Sequence, residues 1–381
     1  MLPVFSFMTA TEICFGRGTA SVAVGRIAAF GSRVLLVHGA NAARSDWLAE
    51  ALVQNGCDVA RFAVAGEPDM DMVQAGIDAA RRHGADVVTA LGGGAAIDAG
   101  KAIAALASGT RPMLDHLEVV GAGLPLETAP LPFVALPTTA GTGAEVTRNA
   151  VIAVPEHQRK VSLRDPRMLP RLALVDPALT DNCPRSVTLA SGLDAVTQVI
   201  EPYLCTRANP MTDALCRDAI PRGLVALCRL MKGEDTAARE EIAWVSLCGG
   251  LALANAGLGV VHGLAGPLGG LSSAPHGAIC GALLPHALEV NARHATDPRT
   301  QARIAEIRHW IAEALGGAKD EAFSRLAAWS RENGLSGLDA LGISPEQRST
   351  AAEAAAASSS MKANPVPLGP DTLSKLMDNA T

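Results

Sequence analysis

The residues best placed to do chemistry lie in the second half of the chain. In "GLDAVTQVIEPY" (192–203), Asp194, Gln198 and Glu201 are four and seven residues apart, so on a helix they share one face. An acid and a histidine one turn apart commonly begin a metal site, but here that turn carries Gln198. Farther on, "LGVVHGLAGPLGGLSSAPHGAICGALLPHALEVN" (258–291) sets His262 and His276 among small apolar residues. Either histidine alone would read as a satisfied core residue. Together with the carboxylate of Asp194, the two imidazoles form a donor set that suits iron or zinc. His286 is read as structural.

A second group of residues suits a phosphate. "ALGGGAAIDAGKAIA" (90–104) brings three glycines, after an apolar run, to the start of a helix. Glycines let the backbone approach a ligand closely, and the free N–H groups and dipole of a helix start attract an anion. A plain tight turn would look similar. "LPTTAGTGAEVTRNAVI" (136–152) reads as a loop after the next strand, with the hydroxyls of Thr138, Thr139 and Thr142 beside bare backbone. Such a loop suits a pyrophosphate or a nicotinamide carboxamide.

The elements that must position these residues divide the chain in two. "RVLLVHG" (33–39), residues 57–66, 85–94, 131–139 and 172–180 read as strands, with helices over 42–56 and 70–84 between them. Strands alternating with helices predict a parallel sheet with crossovers. Beyond about residue 180 the strand pattern fades into Ala- and Leu-rich helical stretches. The expectation is an α/β domain over 1–178 and an all-helical domain over 179–381.

The chain has 381 residues, 49% of them hydrophobic and 18% charged, which is the balance of a well-buried globular protein. Its net charge of −6 comes without a block of like charges, so nucleic acid is not an expected partner and a small molecule is. No run of about 20 uncharged apolar residues predicts a membrane span. The opening "MLPVFSFMTATEICFG" lacks the basic start and cleavage site of a signal peptide, which predicts the cytoplasm. Eight cysteines, none in a CxxC pair, read as reduced core fillers, and none is assigned to chemistry.

Taken in order, "FGRG" (15–18), "GGGAAIDAGKA", "PTTAGTGAEVTRNAV", "SLRDPRMLPRLALVDPALT", "ASGLDAVTQVIEPY" and "NPVPLG" resemble the iron-containing (group III) alcohol dehydrogenase family over nearly the whole chain. The resemblance implies a dehydroquinate synthase-like fold, with a dinucleotide-binding α/β domain, a helical domain and hydride transfer in the cleft between them. It implies that Gly93, Gly94 and Ala95 hold the pyrophosphate, that Asp98 lies toward the nicotinamide, that Thr138, Thr139 and Thr142 line the cofactor, and that Lys160 meets its ribose region. The family's metal ligands, an Asp and three His, fall here on Asp194, Gln198, His262 and His276. A homodimer or larger homo-oligomer is implied as well.

The sequence departs from that pattern at its site. Gln198 replaces the His of the usual DAxxH, and Gly266 replaces the second His of the usual HxxxH. A Gln carbonyl is a poorer ligand than imidazole for such a metal, so Fe2+ or Zn2+ and a metal-free site both stay open. Without metal, His262, His276 or the amide of Gln198 would have to stabilise the developing alkoxide. After the first long strand, where an acid often holds the ribose of NAD, the chain has Gly39, followed by Asn41 and Arg44. The missing acid and the nearby guanidinium favour NADP, or use of both cofactors, over strict NAD. Arg148, Asn149 and Arg164 are candidates to meet a polar substrate.

The activity expected is NAD(P)-dependent interconversion of a small alcohol and its aldehyde or ketone. The alternatives are a metal-independent reductase of an oxo acid, resembling the maleylacetate reductases, and a dinucleotide-binding protein whose catalytic site has decayed.

Overall fold

The computed structural model of the protein describes residues 3–356 and 358–381. The chain forms two compact units: Thr9–Thr139 with Ala144–Thr180, and Asp181–Thr381 with Ala140–Gly143 and the chain's first residues.

The first unit carries strands β1 (Ile13–Phe15), β2 (Arg33–Gly39), β3 (Asp58–Val64), β4 (Val87–Gly92), β5 (Phe133–Pro137), β6 (Asn149–Val154), β7 (Arg159–Arg164) and β8 (Leu172–Val175). Its helices are α1 (Ala23–Ala28), α2 (Asp46–Gln54), α3 (Met70–His83), α4 (Gly94–Leu106) and the short α5 (Met113–His116). Six strands form a parallel sheet in the order β1-β8-β5-β4-β2-β3. The apolar runs are buried on both faces, as a helix-covered parallel sheet requires. Val34 and Leu36 face the core shared with Ile27, Leu48 and Leu52, while Leu35 and Val37 face the core shared with Val73, Ile77 and Ile103. Polar residues mark the ends of the crossover helices. Asp69 accepts from the Met72 N–H at 2.8 Å to start α3, and Gly84, at φ +63°, stops it in a left-handed turn.

From β2 the chain moves outward to β3 and then returns to the other side of β2 to make β4 and β5. The direction of winding therefore reverses between β2 and β4. In open parallel sheets, ligands bind outside the carboxyl ends of the strands at such a reversal. Gly39 ends β2 and Gly92 ends β4, so both lie there.

The reading of 136–152 as loop is corrected at its end. Asn149–Val154 is β6, paired antiparallel with β7 in a separate ribbon. The reason is a period of two: Ala150, Ile152 and Val154 point inward, as do Val161 and Leu163 across the ribbon. After β7, Asp165 caps a turn of 3-10 helix. Its carboxylate accepts from the Arg167 backbone N–H at 2.9 Å, the Arg167 side chain at 2.8 and 2.9 Å, and the Leu126 N–H at 3.2 Å.

The Arg167 side-chain hydrogen bonds, against a smaller opposing effect of burial, hold the Asp165 carboxyl down at about 2. The group's pKa is lower folded than unfolded, so its stabilisation is present above about pH 4 and lost as pH falls through about 2. Asp165→Asn should cost up to about 2 kcal/mol at pH 7, and the gap to wild type should close between pH 4 and 2. Urea unfolding across that range checks it; a gap that persists at pH 2 would mean that shape rather than charge was lost.

The second unit carries α6 (Arg185–Leu204), α7 (Pro210–Leu230), α8 (Thr236–Asn255), α9 (Val260–Leu271), α10 (His276–His294), α11 (Pro298–Leu315), α12 (Ala322–Glu332), α13 (Pro345–Ala355) and α14 (Pro370–Asp378). The helix α6 lies against α7, α8 and α10 and is almost wholly buried from Gly192 onward. Its approach to α10 depends on Gly277, where a Cβ would stand 2.5 Å from the Ala190 carbonyl oxygen. No single helix among the described residues is long and apolar enough to cross a membrane; α8 and α9 pass only when taken together, and they are bent by 95°.

Candidate metal and cofactor sites

Three helices of the second unit bring the chemistry together. Asp194 comes from the middle of α6, His262 from the first turn of α9 and His276 from the first residue of α10. Asp194 Oδ1 lies 3.4 Å from His262 Nε2 and 3.9 Å from His276 Nε2. Asp194 is 2% exposed, and its Oδ1 accepts no hydrogen bond. An ionised oxygen left so in the interior is costly unless a cation belongs beside it.

A fourth donor, which sequence reasoning assigned to the core, sits with these three. Cys280 Sγ is 3.6 Å from His276 Nε2 and 3.9 Å from His262 Nε2, and the four ligand atoms lie within 4.8 Å of one another. The signal was the four-residue step from His276, which places both residues on one face of α10.

Glu201, seven residues beyond Asp194, was legible as a member of the same helix face but not by its task. Its carboxylate accepts from the Val261 N–H at 2.6 Å, the His262 N–H at 3.3 Å and His262 Nδ1 at 2.7 Å. It thereby caps the positive end of α9 and fixes a proton on His262 Nδ1, so that Nε2 is the ring nitrogen turned toward Asp194.

Charge inside the cluster follows from these contacts. Burial favours neutral His262, but the electrostatic influence of Cys280, the nearby carboxylate of Asp194 and the bond to Glu201 raise it well above its ordinary value. The electrostatic influence of Cys280, and then of Asp194, lifts His276 to about 9 against burial and the repulsion of His262. Burial pushes Asp194 up, and the two imidazoles outweigh it and hold it low.

Gln198 is also buried, and its amide nitrogen donates to the Thr142 carbonyl at 2.5 Å. Gly266 lies one turn beyond His262, and a Cβ there would meet nothing within 4 Å. His286, farther along α10, is kept neutral by burial.

The residues expected to hold a dinucleotide lie in the first unit, except Thr142, which belongs to the second. Gly93 is the N-cap of α4 with no side chain bonded to the helix start, so the first N–H groups, those of Gly94, Ala95 and their neighbours, have no partner within the helix. A Cβ on Gly93 would stand 3.1 Å from Thr139 Oγ1, and the Thr138 N–H donates to the Gly92 carbonyl at 2.9 Å. Gly39 has open space where a Cβ would go. Asn41 caps the next helical turn by accepting from the Ala43 N–H at 3.2 Å, and the exposed Arg44 reaches the Leu179 carbonyl at a long 3.4 Å.

Other candidates are engaged within the fold. Asp98 accepts from the Val151 N–H and from Lys101, both at 3.0 Å, and Lys101 donates on to Thr147 and Asn149. This chain ties α4 to β6. Lys160 pairs with Glu67 at 3.6 Å and Arg164 with Glu118 at 2.8 Å, while the Asn149 amide donates to Ser162 Oγ at 3.4 Å.

Comparison with known proteins decides the family. Residues 10–177 match the iron-containing alcohol dehydrogenases, and residues 188–381 match the C-terminal part of the Fe-containing alcohol dehydrogenase family. The chain belongs to the iron-containing alcohol dehydrogenase family. Membership implies NAD(H) and a divalent metal, iron, as cofactors.

Alcohol dehydrogenase 4 of Schizosaccharomyces pombe is 36% identical over 241 residues, which cover 63% of this chain and 56% of that protein. The NAD-dependent methanol dehydrogenase of Bacillus methanolicus is 31% identical over 350 residues, 87% of this chain and 88% of that one. Several of the curated family members are matched over less than two thirds of their own length, from 56% to 65%. A crystal structure of 1,3-propanediol oxidoreductase superposes with a TM-score of 0.89 at 29% identity, covering 100% of both chains.

Within this family member, Glu201→Gln should weaken metal binding about 10- to 100-fold, the usual cost of losing a carboxylate behind a ligating histidine. Competition against a chromogenic chelator measures it, and unchanged affinity would show that His262 does not need Glu201 to stay in place.

Proposed function

We propose that the protein interconverts a small alcohol and its aldehyde or ketone by hydride transfer to or from a nicotinamide cofactor, with a divalent metal held by Asp194, His262 and His276. The observation that carries this reading is the buried Asp194 Oδ1, without a hydrogen bond and within 3.9 Å of two imidazole nitrogens. That donor set suits iron or zinc, and Gln198 stands one turn from Asp194 as a candidate for a further ligand or a hydrogen-bond donor to substrate oxygen. When bound, the metal supplies Lewis acidity toward a carbonyl or alkoxide oxygen.

The chain's own residues do the rest. Glu201 keeps a proton on His262 Nδ1. Among the cluster side chains, His262 is 7% exposed and His276 is 30% exposed, so substrate would reach the metal from the His276 side. The open space at Gly266 leaves room for substrate beside these rings.

The start of α4, with Gly93, Gly94 and Ala95, takes the pyrophosphate, and the threonines of 138–142 line the cofactor. With no acid at Gly39 and with Arg44 exposed nearby, NADP is favoured over NAD. Eight unpaired cysteines suit a reducing compartment such as the cytoplasm.

Elemental analysis of protein purified without chelator, paired with NADPH and NADH oxidation on aldehydes and oxo acids, tests the reading. A bound divalent metal and aldehyde reduction lost on chelation are expected. Full activity without metal would overturn the metal assignment in favour of an oxo-acid reductase of the metal-independent kind. Cofactor binding with no turnover on any substrate would overturn the enzymatic reading itself.

A further inference from the structure

The cluster in the helical unit holds one donor more than the proposed function uses. We propose that Cys280 is the fourth protein ligand of the metal, binding as a thiolate beside Asp194, His262 and His276. The inference rests on the reading of that cluster as a metal site.

Distance carries the first part of the argument. For bonds of about 2.0–2.3 Å to nitrogen, oxygen and sulfur, a tetrahedral site has donor-to-donor edges of about 3.3–3.8 Å. The separations here are 3.4 Å for His262 Nε2 to Asp194 Oδ1, 3.6 Å for Cys280 Sγ to His276 Nε2, and 3.9 Å for both Sγ to His262 Nε2 and His276 Nε2 to Asp194 Oδ1. Four of the six separations thus lie at or close to those edges, and all four ligand atoms lie within 4.8 Å of one another. The second part is the bare Asp194 Oδ1, which is buried and aimed into the same space.

Charge supplies the third part. Asp194 and a thiolate together carry two negative charges and the imidazoles none, so a divalent cation leaves the buried site neutral. On binding, the thiol yields its proton to solvent and the sulfur lone pair forms the new bond, with no change of oxidation state. Gln198, the other candidate on α6, has its amide nitrogen tied to the Thr142 carbonyl and offers only a neutral oxygen. A sulfur donor also moves the preference toward zinc and other metals that accept soft ligands.

Cobalt(II), titrated into the metal-stripped full-length protein, reads the ligand directly, because thiolate ligation gives an intense near-ultraviolet sulfur-to-cobalt charge-transfer band. The wild type is expected to show that band together with visible ligand-field bands. Cys280→Ala should lose the charge-transfer band and bind cobalt at least about tenfold more weakly, whereas Gln198→Ala should keep the band. Cobalt bound by the wild type without the band, or a band that survives in Cys280→Ala, would overturn the ligand assignment and leave the metal site standing. No cobalt binding by the wild type would overturn both. The wild-type spectrum decides even if the alanine variant fails to fold, and Cys280→Ser offers a second route to the same comparison.

Discussion

Asp194→Asn is expected to leave the fold intact and to slow carbonyl reduction at least about a thousandfold, equivalent to about 4 kcal/mol of transition-state stabilisation. The substitution nearly preserves shape and removes one formal charge. Because the two imidazoles outweigh burial and hold the Asp194 carboxyl low, the neutral amide loses that attraction and should cost some stability without unfolding the chain. The loss should fall on kcat and on bound metal, with NAD(P)H affinity little changed, since Gly39, Arg44, Gly93, Gly94 and Ala95, assigned to the dinucleotide, belong to the α/β unit. Turnover and elemental analysis on the same preparation check this. A variant that loses its metal and keeps its rate would show that catalysis does not pass through Asp194.

The second large effect is expected at Gly39. An Asp side chain there meets open space and an ordinary backbone, so it can be introduced without strain. It would set a carboxylate at the end of β2, at the reversal of the sheet, in the place where a ribose hydroxyl is welcomed and a 2′-phosphate repelled. Gly39→Asp should weaken NADPH about 100-fold, or about 2.7 kcal/mol, while NADH changes severalfold at most or improves. Fluorescence titration with each cofactor measures the ratio. Equal weakening of both would show that position 39 does not face the 2′ group and would remove the main support for an NADP preference.

Strong local patterns were legible in the sequence. "RVLLVHG" became β2 over the same residues, because a run of β-branched and leucine side chains buried on both faces has few other solutions. The alternation in "NAVIAV" was equally regular, but it was hidden behind the threonines and glycines that precede it, and the ribbon it forms with β7 emerged only in three dimensions. At the site, Asp194, His262 and His276 could be found because their types are rare among small apolar neighbours. Cys280 could not, since a buried cysteine is ordinarily inert and its importance depends on where α6 and α9 deliver their donors. Glu201 shows the same limit: spacing placed it on the right face, but only the entry of α9 gives its carboxylate two N–H groups and an imidazole to hold.

The helix α6 also acts as a ruler. Asp194 faces the donor cluster and Glu201 grips α9 from the same stretch, and their seven-residue separation is nearly two full turns. Inserting or deleting one residue between them would swing one carboxylate about 100° around the axis relative to the other. Side chains in this segment can be exchanged, as Gln198 illustrates, but its length cannot change without parting His262 from one of its two acids. Variation within the segment is therefore confined to substitution, and the positions between the two acids are where new chemistry can be tried without dismantling the site.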